Sequence, residues 1–306
     1  MIKLFSMFSG FGGAEFALQK ANIGFECVGY SEIDKYAIQC YSQNHSGRNF
    51  GDCTQINPND IPDFDLLTGG FPCPSFSSAG LGMGEEDPRG KLFNEIIRIA
   101  EIKQPRCMLL ENVKGLMSQK HRPTFDKIIS ELYRIGYKVK VEVLNSKDYG
   151  IPQNRERVWF ACFLNDGDFE NFRFPVKEDL TICVKDLLDE NVDPKYNLSE
   201  RFIRGVLVSN YRERKPFDVN GVCPTLKIGG DIKSFINPEI PQELAHDPAG
   251  LIGNWRRLTP SEYFKLMGFA PNQIKLGGLS DTQKWKLAGN GWEINTASKI
   301  LDRLLR

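Results

Sequence analysis

The stretch that most constrains this chain is Gly69-Gly70-Phe71-Pro72-Cys73-Pro74-Ser75-Phe76-Ser77-Ser78-Ala79-Gly80, which follows the short apolar run Asp63-Phe64-Asp65-Leu66-Leu67-Thr68. A run of that length bounded by turn residues reads as a buried parallel strand. The paired glycines allow a sharp turn at its carboxyl end, where open α/β sheets place their sites. Pro72 and Pro74 fix φ on either side of Cys73, so the thiol projects in one direction. Downstream, Gly80, Gly82, Gly84 and Gly90 stand among polar residues with no apolar period. A loop of that length serves as a lid or a binding loop, or is disordered. Cys73 is therefore either a mounted nucleophile or a small buried hydrophobe, and the rest of the chain has to decide.

With 306 residues, 41% of them hydrophobic, the chain can build one large or two ordinary domains. No apolar stretch approaches the roughly 20 residues of a membrane span, and no signal-peptide pattern precedes the first strand. A cytoplasmic protein without a membrane partner is expected. The eight cysteines form no C-x-x-C pair and are accompanied by three histidines. Zinc spacing is absent, so reduced thiols and no metal are expected. The formal net charge of zero is silent about nucleic acid, because a polyanion needs only a local basic face.

In order, Ile2–Ser6 reads as a strand, and Phe8-Ser9-Gly10-Phe11-Gly12-Gly13 as a glycine turn opening a helix that turns Phe16, Ala17, Ala21 and Ile23 inward. Such a turn lets a ligand approach the backbone. It fails as a dinucleotide fingerprint, because Glu15 stands where Gly or Ala is needed. A strand over Phe25–Tyr30 ends in Ser31-Glu32-Ile33-Asp34, and a third short strand is expected to end in Gly51-Asp52-Cys53. Glycine turn, acid and acid at successive strand ends describe a pocket for an adenosine-like ligand. A helix over Lys91–Lys103 leads to a strand ending in Glu111-Asn112-Val113, with Glu111 at the same edge as Cys73. A carboxyl group beside a thiol and apolar strands is expected to protonate easily and to serve as a general acid. A helix completed by Ile128–Ile135 and a strand over Tyr137–Asn145 come next. Gln153, Arg155 and Arg157 then alternate into a strand running to Leu164 and are expected on one side of it, suited to a carboxylate or phosphate.

From about Leu187 to Gly278 the chain is irregular and rich in Gly, Pro and Asn, which suggests a smaller second domain. The expected division is 1–187 with 279–306 against 188–278. Arg201, Arg204, Arg212, Arg214 and Lys215 form its basic stretch, diluted by Glu200, Glu213 and Asp218. Thr259, Pro260 and Glu262 make a capping pattern. Gly289-Asn290-Gly291-Trp292 precedes a terminal helix, Ile294–Leu305, expected to dock on the first sheet.

Together these residues resemble the C5-cytosine DNA methyltransferases over nearly the whole chain and in the right order. Phe8, Ser9, Gly10, Phe11, Gly12 and Gly13 resemble the family's S-adenosylmethionine glycine motif, and Gly70-Phe71-Pro72-Cys73 its nucleophile motif. Glu111-Asn112-Val113 resembles the base-contacting motif and Gln153-x-Arg155-x-Arg157 the paired-arginine motif. Arg257-x-Leu-Thr-Pro-x-Glu262 and Gly289-Asn290-Gly291-Trp292 resemble the last two. Two positions depart from the pattern: Pro74 replaces the usual Gln, and Gly291-Trp292 replaces Ser-Val or similar.

The resemblance implies an α/β fold, a Rossmann-like, mostly parallel sheet flanked by helices, with a smaller target-recognition domain. It places S-adenosylmethionine on the glycine motif and on Glu32, Ile33, Asp52, Cys53, Pro72, Leu92, Asn290 and Trp292, with S-adenosylhomocysteine as product. It makes Cys73 the nucleophile at C6 of a flipped-out cytosine in double-stranded DNA, with Glu111, Gln153, Arg155 and Arg157 around it. Ser75, Ser77 and Arg89 of the lid would meet DNA, and Arg212, Arg214, Lys227 and Lys233 would read it. A monomer is expected, with a cognate restriction endonuclease as a functional partner. A zinc deaminase lacks its P-C-x-x-C here. The tRNA-modifying branch shares the catalytic motifs, but its Cys-Phe-Thr signature is missing. A catalytically dead relative would be expected to lose Cys73, Glu111 or the arginines.

Overall fold

The computed structural model describes residues 1–72, 92–199, 201–203, 217–227, 235–236 and 255–306. Cys73, Ser75, Ser77, Arg89, Arg212, Arg214 and Lys233 lie outside them. The chain divides into two compact units. The first comprises Met1–Leu144, Glu156–Val176 and Ile294–Arg306; the second comprises Asn145–Arg155 and Lys177–Glu293. The boundaries thus fall at 176 and 293 rather than at 187 and 278, and the second unit also takes residues 145–155.

The first unit is built on a six-stranded sheet. Its strands are β1 (Ile2–Met7), β2 (Phe25–Ser31), β3 (Leu66–Gly70), β4 (Cys107–Val113), β5 (Lys138–Asn145) and, after the two-residue β6 (Gln153–Asn154) of the second unit, β7 (Glu156–Phe163). Their order is β2-β1-β3-β4-β7-β5. β1 runs parallel to β2 and β3, β3 runs parallel to β4, and β7 returns antiparallel to β4. Parallel strands covered on both faces are continuously apolar. Leu4, Phe5, Leu66, Leu67, Met108, Leu109 and Leu110 are accordingly buried.

The helices are α1 (Gly13–Lys20), α2 (Lys35–Asn44), α3 (Leu92–Lys103) and α4 (Arg122–Arg134). Asp34 caps α2 by accepting from the amides of Tyr36 and Ala37. α3 buries Phe93, Ile96, Ile97, Ile99 and Ala100, an i, i+3, i+4 stripe. The terminal helix Ile294–Leu305 packs along α1, burying Ala297, Ile300, Leu301 and Leu304.

The expected third strand at Gly51-Asp52-Cys53 does not form. Backbone pairing there is a single bridge between Tyr30 and Asn49, after which Gly51 turns the chain at φ +73°. Asp52 instead caps a one-turn 3-10 helix, Cys53–Gln55.

In the second unit β6 pairs in parallel with the short strand Cys223–Pro224. The predicted cap is present: Thr259 and Glu262 form a reciprocal capping box opening the helix Pro260–Lys265. Glu262 is fully buried, and both guanidinium ends of Arg256 bond it at 2.6 and 2.7 Å.

Candidate active site

The strand order brings four sequence features of the first unit to one edge. The carboxyl ends of β2, β1, β3 and β4 are neighbours, and they carry Glu32, the glycine turn, Phe71-Pro72 and Glu111 in that order. In the turn, Gly10 and Gly12 have φ of +57° and +90°, and Phe8 holds +52°. A bulky non-glycine residue in that region is strained, and such strain persists only where the surroundings hold it. A Cβ on Gly10 would meet nothing within 4 Å, whereas one on Gly12 would strike the His45 imidazole at 2.3 Å. Gly12 is thus required by packing, and Gly10 leaves open space.

Glu32 is held rather than solvated. One carboxylate oxygen accepts from the Gly10 amide at 2.9 Å, and the other accepts from the amides of Ile33 and Asp34 at 2.8 Å each. A carboxylate offers about four acceptor sites, so capacity remains for a ligand hydroxyl. Ile33 is 73% exposed, an apolar side chain beside this acid with nothing covering it. Asp52 is exposed and accepts from the amide and hydroxyl of Thr54 at 2.9 Å. Cys53 is buried, its thiol pushed up to about 11 by burial and then by Asp52, so it acts here as a small apolar group. Pro72 and Leu92 are half-buried.

Glu111 lies opposite Gly70 in the β3–β4 register, three residues before Cys73 in that neighbouring segment. Asn112 is buried, and its amide donates to the Phe71 carbonyl at 3.0 Å, tying β4 to the run-in of the cysteine. On the other side Glu111 pairs with Trp159 of β7, which makes Arg157 its diagonal neighbour on the same face. Arg157 Nε meets Glu111 Oε1 at 2.8 Å, with both side chains largely buried. Burial pushes the guanidinium below its ordinary value, and the Glu111 carboxylate works against that. The apolar setting expected to favour protonation of Glu111 therefore comes with a cation that favours its ionised form.

Gln153, Arg155 and Arg157 do not share one face. β6 ends at Asn154 and β7 begins at Glu156, so no continuous pleat aligns them. Gln153 is fully buried; its amide nitrogen donates to the Leu266 carbonyl at 2.7 Å, and its oxygen accepts from the Leu226 amide at 3.1 Å. Arg155 is 2% exposed and donates to the carbonyls of Gly291 at 2.7 Å and Gly289 at 3.3 Å. Within the second unit both are fasteners: Gln153 holds the Thr225-Leu226 segment, and Arg155 holds the segment carrying Asn290 and Trp292. Asn290 is exposed, Trp292 is buried, and Lys227 is exposed.

A family model described as C-5 cytosine-specific DNA methylase matches residues 2–306. The type II methyltransferase M.NlaX of Neisseria lactamica is 38% identical over 95% of this chain and 92% of its own. The type II methyltransferase M.HhaI of Haemophilus parahaemolyticus is 34% identical over 98% and 93%. Among solved structures, the S. pombe Dnmt2 methyltransferase superposes with a TM-score of 0.79 at 21% identity, covering 99% of this chain and 98% of its own. That likeness speaks for the fold. The chain belongs to the C-5 cytosine-specific DNA methylase family. It is a DNA cytosine-5-methyltransferase, dependent on S-adenosylmethionine, with DNA as its substrate.

The described residues at this edge leave room and polar capacity for such a cofactor. Gly10 leaves room at the turn, the buried Ser9 hydroxyl has no partner, Glu32 keeps acceptor capacity, and Ile33 offers an uncovered apolar face. Sequence reasoning missed Asn49 and Arg98, which bond the Gly51–Ile56 turn from opposite sides. Neither belongs to a motif, and only the failure of the third strand shows what they do. The seven described cysteines are all free thiols. Among the described residues no helix is long and apolar enough to cross a membrane.

Proposed function

We propose that Cys73 is the nucleophile of this methyltransferase and that Glu111 holds the target cytosine. The observation that carries the reading is the Glu111–Arg157 pair, in register with Gly70 at the end of β3, with Asn112 bonded to the Phe71 carbonyl. These contacts fix a carboxylate beside the backbone that leads into Cys73. A cytosine in a duplex is out of reach of a side chain on a sheet edge, so the base must be flipped out.

Cytosine C5 is a poor nucleophile until something adds at C6. Cys73 Sγ adds there as thiolate. Glu111, protonated as the base binds, donates that proton to N3 and accepts from the exocyclic amine, so the charge pushed into the ring is not left on N3. S-adenosylmethionine, when bound, supplies an electrophilic methyl group on a sulfonium and leaves as S-adenosylhomocysteine. Solvent takes the C5 proton, the electrons of that bond re-form the C5–C6 double bond and expel Cys73 Sγ as thiolate, and N3 returns its proton to Glu111. Glu32 would take the ribose hydroxyls and Asp52 the adenine. Ile33 would cover the ring.

Target reading is assigned to the second unit, through Lys227 and the stretch around Arg212, Arg214 and Lys233, with Ser75, Ser77 and Arg89 on the DNA backbone. The reading includes action as a monomer inside a bacterial or phage-infected cell, the relatives being bacterial and phage methyltransferases. The type II names of the relatives favour a cognate restriction endonuclease. The test is expression in a methylation-free host with base-resolution mapping of 5-methylcytosine, joined to trapping on a 5-fluorocytosine duplex. Wild type should give one methylated motif and a covalent adduct, and Cys73→Ser should give neither. An adduct formed equally well by Cys73→Ser would overturn the assignment.

A further inference from the structure

We propose that Asn49 is a positioning residue of the cofactor pocket: with Ser31 and Arg98, it sets the spacing between Glu32 and the Gly51–Asp52 turn, and so the affinity for the adenosine half of S-adenosylmethionine. The inference rests on the reading that Glu32 and Asp52 hold adenosine.

In a doubly wound sheet, backbone pairing normally fixes one strand end against the next. Here that pairing stops early. The Tyr30 amide bonds the Arg48 carbonyl at 2.9 Å, and the Phe50 amide bonds the Tyr30 carbonyl at 2.7 Å. Gly51 then turns the chain away before Asp52. Beyond that point the edge is closed by side chains. Asn49 Nδ2 donates to the Glu32 carbonyl at 3.1 Å, and its Oδ1 accepts from the Glu32 amide at 3.3 Å. A side-chain amide bonded to both backbone groups of one residue imitates a neighbouring strand. The same Oδ1 accepts from the Gly51 amide at 2.9 Å, while Ser31 Oγ donates to the Gly51 carbonyl at 2.7 Å. Gly51 is thus gripped at both ends, each time by a residue tied to the Glu32 side.

The far side of the turn is held by α3. A single 3-10 turn leaves its last carbonyls open. Arg98 takes two of them, donating to the carbonyls of Ile56 at 2.7 Å and Cys53 at 2.9 Å, and its Nε is steadied by Glu95 at 2.8 Å. The planar fork of an arginine suits two carbonyls, where a lysine would supply a point charge. Glu32 in turn accepts from Gly10. An unbroken run of hydrogen bonds therefore links the glycine turn, Glu32, Asn49, Gly51, the Asp52 turn and α3.

The test is calorimetric binding of S-adenosylhomocysteine and of adenosine to the full chain, alongside KM and kcat with S-adenosylmethionine and DNA. Asn49→Ala, which loses three hydrogen bonds, should weaken both ligands by the same factor, about tenfold. The loss should fall on cofactor KM, with kcat at saturation and DNA affinity nearly unmoved. Arg98→Ala should behave alike, and Arg98→Lys should recover part of the affinity. Ser31→Ala, which deletes one hydroxyl, serves if Asn49→Ala does not fold. Asp52→Ala separates the two readings. If it leaves adenosine binding untouched, the pocket assignment is wrong. If it weakens adenosine while the Asn49 and Ser31 variants bind like wild type, or only lower the melting temperature, the positioning role is overturned.

Discussion

Glu15→Gln should remove the loss of stability that the cofactor domain suffers as pH rises through about 7. Glu15 sits in the first turn of α1, fully buried, two residues beyond the glycine pair. Tyr41 donates to its Oε1 at 2.8 Å. Burial pushes the carboxyl from its ordinary 4.5 up to about 7, against the pull of the Tyr41 hydroxyl. Its folded proton affinity exceeds the unfolded one, so its stabilising contribution is complete below 4.5 and lost as pH rises through about 7. Across that interval the loss is about 3 kcal/mol, at roughly 1.4 kcal/mol per pH unit.

His45 works in the opposite direction. Its ring lies 5.0 Å from that of Tyr41, and burial lowers it from 6.5 to about 4, so its contribution is present above 6.5 and lost as pH falls through 4. The neighbouring Cys27 thiol is pushed up to about 11 by burial, and Tyr30 and Tyr41 are both raised above 10, so none titrates in this window. In wild type the two slopes oppose between 4.5 and 6.5, and above that only the glutamate acts. Gln keeps an acceptor for Tyr41 and carries no charge at any pH. Urea unfolding at pH 5 and pH 8 should therefore show the variant gaining on wild type by about 2–3 kcal/mol at the higher pH, whatever constant offset its amide adds. A difference between the two proteins that does not change with pH would refute the reasoning.

Three further outcomes follow from the site. Glu111→Gln should cut turnover by roughly two to four orders of magnitude, the span of acid–base help, while calorimetric cofactor affinity barely moves. Glu32→Ala and Asp52→Ala should each raise cofactor KM and leave DNA affinity intact, as gel-shift titration would report. Alanine variants of Arg212, Arg214, Lys227 and Lys233 should include some that relax the methylated motif on base-resolution maps, since a base contact costs about 1–3 kcal/mol for one base only. If all four lower activity with the motif unchanged, they are backbone contacts.

Much of the sheet was legible because its signals are local. β1, the glycine turn, β4, the Thr259 capping box and the terminal helix follow from period and cap chemistry within a few residues. What was not legible depends on partners distant in sequence. Gln153, Arg155 and Arg157 alternate as a strand would, yet their side chains go to Leu226 and Leu266, to Gly289 and Gly291, and to Glu111. No spacing rule encodes those destinations. The third strand failed for a local reason, a left-handed Gly51 that pattern counting reads as strand punctuation. Asn49 and Arg98 then matter only because that strand is missing. The terminal helix was expected on the sheet and packs along α1, which has its own apolar stripe to cover.

Glu111 shows how one unforeseen neighbour changes a chemical reading. From sequence, a carboxyl between apolar strands should bind its proton readily. In the structure Arg157 faces it at 2.8 Å, and the cation favours the carboxylate. Before a base arrives, then, the carboxylate is aimed by a guanidinium whose charge works against its protonation. Arg157→Gln tests this through the pH profile rather than the rate alone. Deprived of the guanidinium, a largely buried carboxylate should raise its proton affinity rather than stay charged. The alkaline limb of kcat should therefore move to higher pH even as the maximum falls through lost aim. An arginine that only orients Glu111 would lower the rate by the same factor at every pH, and an unshifted limb would dismiss the electrostatic role.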